Sequence, residues 1–426
     1  MRPKRPLLFI PAAIAILAVA ALLLLWLGVR TPWARGLAAH WVEQATGLPA
    51  SIERLRLGFL RGPALEAGGL ALAQPEGFGS GKILEIGAVR VELPWGGLFG
   101  ASAVDSIAIA DAVVRPAFAA DGGDNWSALI ERLAELGGEG ESAWSIGALG
   151  LERGAVEFED ASTGTKWRLT AITLAAQQIA PRTDFPLDLR LAGVAGPNTF
   201  HFALNGTVQL DPDEGRYRAS GLGYTGWAGG DPLPLAGVEF AGRLQSATWT
   251  APTKSAALRG GSFNLAGVPG SFDGELELGG TTARMNLRVR TEAFAPRAPA
   301  VSFGRPLPAT ADPQAFGAVQ ATFACSLEDG VLSLDPIEAL LDDTKIAGRV
   351  VPQQRFIRLS ADRIDLDRYL APGKETRKEK KATLESAVAS LRELDLDAEI
   401  RIGEAQVAGA KLRDTLLRIE RQAAAQ

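Results

Sequence analysis

Histidine and cysteine are almost missing from this chain: two of the first and one of the second in 426 residues. Cys325 alone can form no internal disulfide, and no Cys/His metal site can be built around it. His40 and His201 leave little room for histidine-based acid–base or metal chemistry. Methionine (2) and tyrosine (3) are scarce too. No strong charge of one sign exists: 44 basic against 49 acidic residues leave a net −5, which gives nucleic acid no electrostatic footprint. A disordered chain is excluded by 47% hydrophobic and 22% charged residues.

Punctuation is what the chain has in quantity. Its 48 glycines and 25 prolines separate short apolar runs, a pattern of strands and turns. At roughly 100–200 residues per domain, this length allows two to four ordinary domains or one elongated body.

One long apolar run stands at the start. Residues Leu7 to Val29 are uncharged and mostly apolar, and about 20 such residues cross a bilayer. The anchor is carried by residues such as Leu7, Ile10, Ile14, Leu24 and Trp26. A cleaved signal peptide would have a core of about 7–15 residues, and this run is longer. Arg2, Lys4 and Arg5 precede it, so the N-terminus is expected in the cytoplasm. No later run is long enough to cross, which puts the remaining residues in one body on the far side, the periplasm of a bacterium.

A helix is expected next, with Thr31 as N-cap, Pro32 in its first turn and Gly47 at its end. Trp33, Leu37, Trp41 and Val42 give it one apolar face, and His40 lies within it. Alternating segments follow at Ile52–Leu57, Ile83–Leu93 and Val104–Val114. A short helix after Asn125 would align Trp126, Leu129, Ile130, Leu133 and Leu136, with Gly137 and Gly138 stopping it. From about Trp144 to Leu370 a period of two dominates. The clearest sets are Leu187, Leu189, Leu191; Phe200, Phe202, Leu204; Leu276, Leu278; Met285, Leu287, Val289; and Ile357, Leu359. Helices between strands are too few for parallel βαβ units, so a mainly antiparallel sheet is expected. Gly373–Ala382 reads as a solvated, disordered charged loop. A helix at about Thr383–Leu394 and a strand through Ile400, Ile402 and Val407 close the pattern, with no closing strand in the final residues.

Catalytic motifs fail one by one. Gly77–Lys82 has the wrong glycine spacing for a phosphate loop, and Ile83 stands where a magnesium-binding hydroxyl belongs. Asp211–Gly215 lacks the glycine and the terminal glutamate of a calcium loop, since Arg216 and Leu222 stand there. Both read as turns. No Gly-x-Ser-x-Gly elbow is present. Glu157/Glu159 and Asp342/Asp343 are carboxylate pairs with no other catalytic group placed beside them. No catalytic residue, metal site or cofactor is therefore assigned.

The working feature is the set of alternating apolar positions. A closed sandwich would bury them against a second sheet. A curved sheet would leave them as an open trough, and exposed apolar surface beyond a few hundred Å² marks binding. Such a trough favours acyl chains, at about 0.8 kcal/mol per buried CH₂.

Several segments, in order, resemble the AsmA family of bacterial envelope proteins. They are Glu43–Gly47 running on to Ile52, Pro75–Phe78, Asp121–Trp126 (DGGDNW), Ser360–Leu370 (SADRIDLDRYL), and Leu391–Leu396 with Ile402–Gly409. The resemblance, which extends to TamB- and YhdP-like proteins and to chorein-type lipid carriers, implies a mainly β fold. This would be an elongated, curled antiparallel sheet forming an apolar groove, with an N-terminal transmembrane helix and a few short helices. The implied layout is 1–6 cytoplasmic, 7–29 anchor, 30–140 N-terminal segment, 141–370 groove-forming sheet, 371–382 charged loop, and 383–426 the start of a truncated C-terminal module. The implied function is phospholipid transport between membranes and outer-membrane biogenesis. Implied partners are phospholipids and the inner membrane, with the outer membrane or a periplasmic or outer-membrane protein beyond them. The alternative is a non-transporting envelope scaffold or regulator of outer-membrane protein assembly, its apolar faces closed into a core.

Overall fold

Alternation of apolar and polar side chains decides the architecture. In β14 (Arg284–Thr291), Met285, Leu287 and Val289 are half-buried while Arg284, Asn286, Arg288 and Arg290 are exposed. A period of two places the two sets on opposite faces of a sheet. The chain is mainly β, with 66% in strands. This computed structural model describes residues 30–59, 62–95, 103–136, 144–231, 237–278, 283–328, 330–371, 396–407 and 409–419. Among them are twenty strands and three α-helices. The anchor with Leu7, Ile10, Ile14, Leu24 and Trp26, the charged loop and the helix expected at 383–394 lie outside the described residues. Among the described residues no helix is long and apolar enough to cross a membrane.

The chain divides into two compact units, Met1–Asn205 and Gly206–Gln426, with the boundary inside β9 (Asn198–Asp211). The first unit opens with α1 (Pro32–Thr46), bounded as the sequence predicts. Thr31 Oγ1 accepts from Ala34 N at 3.3 Å, and Gly47, at φ 73°, donates to Glu43 O at 2.7 Å. Strands β1 (Ala50–Gly58), β2 (Ala64–Ala73), β3 (Lys82–Glu92) and β4 (Ala103–Val114) then run antiparallel to one another. The Gly77–Lys82 segment is the turn between β2 and β3, with Gln74 N donating to Gly81 O at 3.0 Å.

After β4 the meander is interrupted. The chain passes through β5 (Ala117–Phe118) and α2 (Ser127–Leu136) and enters β6 (Ser145–Asp160) parallel to β4. Strands β7 (Thr165–Ile179) and β8 (Asp184–Ala195) resume antiparallel pairing. The α2 expectation needs correcting. Asp124 accepts from the amides of Trp126 and Ser127, so the helix begins after Trp126. Trp126 instead packs edge-on against Phe118 at 4.7 Å, and Ile130 is exposed.

The second unit holds β10 (Arg216–Gly229) through β13 (Val268–Glu277), with β11 (Val238–Thr250) and β12 (Ser255–Leu265) between them. The Asp211–Gly215 segment is the turn before β10, where Glu214 N donates to Asp211 Oδ1 at 3.3 Å. After β14 the chain makes an excursion through α3 (Arg297–Ser302) before β15 (Val319–Glu328). The alternation reading missed it. The signal was present: Pro296, Pro299, Pro306, Pro308 and Pro313 cannot sit in a central strand. Strands β16 (Val331–Leu341), β17 (Thr344–Val351) and β18 (Phe356–Asp365) continue antiparallel, and β19 (Asp397–Val407) pairs parallel to β18. A further strand, β20 (Ala410–Ile419), forms a hairpin with β19. Its mixed charged and apolar composition hid it from the sequence reading.

Candidate functional site

Within each unit, the cross-strand registers line up the apolar positions into unbroken files. In the first unit Leu187 faces Ala176, then Leu149 and Ile107. Val91, Leu65 and Leu57 carry the file to β1. Leu189 heads a second file through Leu174, Leu151 and Ile109 to Val89, Ala67 and Leu55. Leu191, Phe200, Phe202 and Leu204 are half-buried, and the Phe200 ring lies over Gly193.

The second unit has the longer file. Leu222 on β10 faces Leu244, then Gly261, Phe272, Val289 and Phe323. Ile337, Gly348, Leu359, Ile400 and Leu417 extend it to β20. At about 4.8 Å per strand this file runs on the order of 50 Å with no charged residue. A parallel file carries Leu287, Cys325, Leu334, Val350 and Ile357. A third joins Leu276, Met285 and Leu327. Cys325 belongs to the apolar lining, and burial pushes its thiol pKa up, keeping it neutral.

Most of these positions are half-buried, while Leu55, Ala176, Leu222 and Leu244 are buried. Every candidate from the alternation reading is half-buried except Leu278, which lies just past β13 and is 47% exposed. The large side chains that are fully buried, Ile83 and Val351, sit at strand ends instead.

Glycine shapes the lining. Gly261 lies under the Phe272 ring, and Gly270 under that of Phe263, so a Cβ at either position would overlap the ring. The two rings lie 6.4 Å apart. A ring laid over a glycine covers the backbone and rises little above the sheet, which keeps the face shallow and open.

The carboxylate pairs are taken up by ion pairs and hydrogen bonds. In the first unit Arg115 joins Glu85 at 2.9 Å to Glu157 at 3.0 Å, and Lys166 holds Glu159 at 2.7 Å. The Glu157/Glu159 pair is thus bound up in ion pairs. Asp342 and Asp343 are also occupied. Asp342 accepts from the amides of Phe316, Gly317 and Ala318 at 2.8–3.1 Å and from the Tyr369 hydroxyl at 2.7 Å. Burial pushes its carboxyl up, but these donors outweigh burial and hold it below the usual range. Asp343 pairs with Arg368 at 3.2 Å, and Arg368 also holds Asp312 at 2.7 Å. Among the described residues, His, Cys, Asp and Glu form no group of three or more able to hold a metal ion.

The motif-like segments are fasteners. Asn125, buried, accepts from Ala117 N at 2.9 Å and donates to Gln74 Oε1 at 2.7 Å and Arg115 O at 2.9 Å. Arg368 and Tyr369 pin the α3 excursion to the end of β18, with Ala311 N donating to Leu370 O at 2.7 Å. No protein-family model and no curated protein matches the chain.

Proposed function

We propose that this protein is an inner-membrane-anchored periplasmic lipid binder of AsmA-like type. Its apolar sheet face receives phospholipid acyl chains in a groove and contributes to phospholipid movement between membranes and to outer-membrane biogenesis. One observation carries the proposal: an uncharged file that crosses eleven strands of the second unit and stays half-exposed on the last eight, from Phe272 on β13 to Leu417 on β20. Water tolerates such a surface poorly, and alkyl chains cover it at about 0.8 kcal/mol per CH₂. The Leu7–Val29 run and the ordered AsmA-like segments support the location. No catalytic step is part of the proposal.

The test is lipid extraction from the purified full chain with mass spectrometry, together with photo-crosslinkers at Leu189, Phe202 and Leu287. Phospholipid is expected in both readouts. A lipid-free protein whose probes capture only protein would sink the proposal. Leu287→Asp separates groove from core: a groove keeps its fold and loses lipid, whereas a closed core unfolds.

A further inference from the structure

α1 is packed inside out. The side it turns inward is made of small residues: Ala34 is buried, and Ala38, Val42 and Ala45 are half-buried. Arg35 fixes the helix to the sheet by donating to Glu53 O at 2.6 Å. The large apolar residues point outward, with Trp33 75%, Leu37 44% and Trp41 68% exposed. A spacing of four residues puts all three on one flank, within about 80° of arc and 12 Å of axis. Glu43 lies on the other exposed flank with His40 between, and Gln44, also exposed, falls within the arc one turn beyond His40. A helix in a water-surrounded body would do the reverse, because each indole buries about 150–250 Å².

The position of the helix indicates what covers this flank. The uncharged run ends at Val29, and α1 begins at Pro32. Between them Thr31 is extended, at φ −74° and ψ 153°, so α1 starts as a new helix that can lie at an angle to whatever precedes it. Tryptophan is the residue that concentrates at the membrane–water interface.

We propose that α1 lies in the bilayer interface, with Trp33, Leu37 and Trp41 seated at the boundary between headgroups and acyl chains. This rests on the anchor reading given above. It makes the helix a foot that sets the height and tilt of the first unit on the membrane.

The full chain carrying Cys325→Ala, with one nitroxide label at Trp33→Cys, Leu37→Cys, Trp41→Cys or Glu43→Cys, tests this in phosphatidylethanolamine–phosphatidylglycerol vesicles. These sites are already exposed, so labelling leaves the packing intact. Labels at 33, 37 and 41 are expected to collide with oxygen several-fold more, relative to a water-soluble nickel complex, than the label at 43. That corresponds to a depth of about 5–10 Å. If alkaline carbonate strips the chain from the vesicles, the anchor and the interfacial seat fall together. If the chain stays but the three labels report water, only the seat falls. Spin–spin broadening that vanishes on dilution with unlabelled chain would assign the flank to a second copy and overturn the seat.

Discussion

Each unit leaves its up-and-down meander once among the described residues, at β4 to β6 in the first and β18 to β19 in the second. Both departures end in a parallel strand, and both are fastened, but with different chemistry. The first fastener is centred on the neutral, buried amide of Asn125. The second is centred on Asp342 and Asp312, carboxylates set against amides, Tyr369 and Arg368. One topological task is thus done by an uncharged group and by a charged group, so acid and salt act on the two fasteners unequally.

Asn125→Ala has the largest expected effect. It orphans Ala117 N, Gln74 Oε1 and Arg115 O in a buried setting, at about 2–4 kcal/mol. Urea unfolding followed by hydrogen exchange is expected to localise the loss to the first unit. Equal loss in both units would dissolve the comparison. Asp342→Ala comes next. It frees three amides and a hydroxyl in a more solvated place, at about 1–3 kcal/mol, localised to the second unit.

Acid is a milder version of the same change. Asp312 is held below its usual pKa by the Gln314 amide first and Arg368 second, and Asp342 is lowered as well. A lowered folded pKa means stability that is complete above the ordinary carboxylate value, about 4, and is lost as pH falls through the depressed value. Exchange protection around Phe316–Ala318 is therefore expected to fall below about pH 4. Asn125 keeps its bonds in the same window. In the first unit the carboxylates held below their usual range are Glu85, Asp111, Asp124 and Asp160, and none of them is a hydrogen-bond partner of Asn125. Protection at Ala117 that falls in step with Phe316 would refute the asymmetry.

Gly261→Ala is the smallest change. Its Cβ forces Phe272 off the sheet, at about 1 kcal/mol. It also makes the shallow face of the second unit uneven, and copurified lipid should drop while the first unit is untouched.

The strands were legible because a period of two is written residue by residue, as in Met285, Leu287 and Val289. Turns were legible where glycine and aspartate stand, as at Gly77–Lys82 and Asp211–Gly215. The unbroken files were not, because register depends on irregularities such as those at Leu258/Gly261 and Phe323/Cys325, which no periodicity announces. Nor was the direction of α1. Spacing finds an apolar face on Trp33, Leu37 and Trp41 but not what that face meets. The segments that suggested a family, Asp121–Trp126 and Ser360–Leu370, hold fasteners rather than lining, so their residues say little about the surface that would touch a ligand.

The two parallel pairings also govern how the chain can fold. Most other strands close against a neighbour in sequence, which costs little loop entropy and proceeds in chain order. The pairings of β4 with β6 and β18 with β19 must wait until the links after Val114 and Asp365 have emerged and been gathered in. Asn125 and Tyr369 stand at the head of those links. They are placed to hold the strands before each link in a finished state while the strands after it are still arriving.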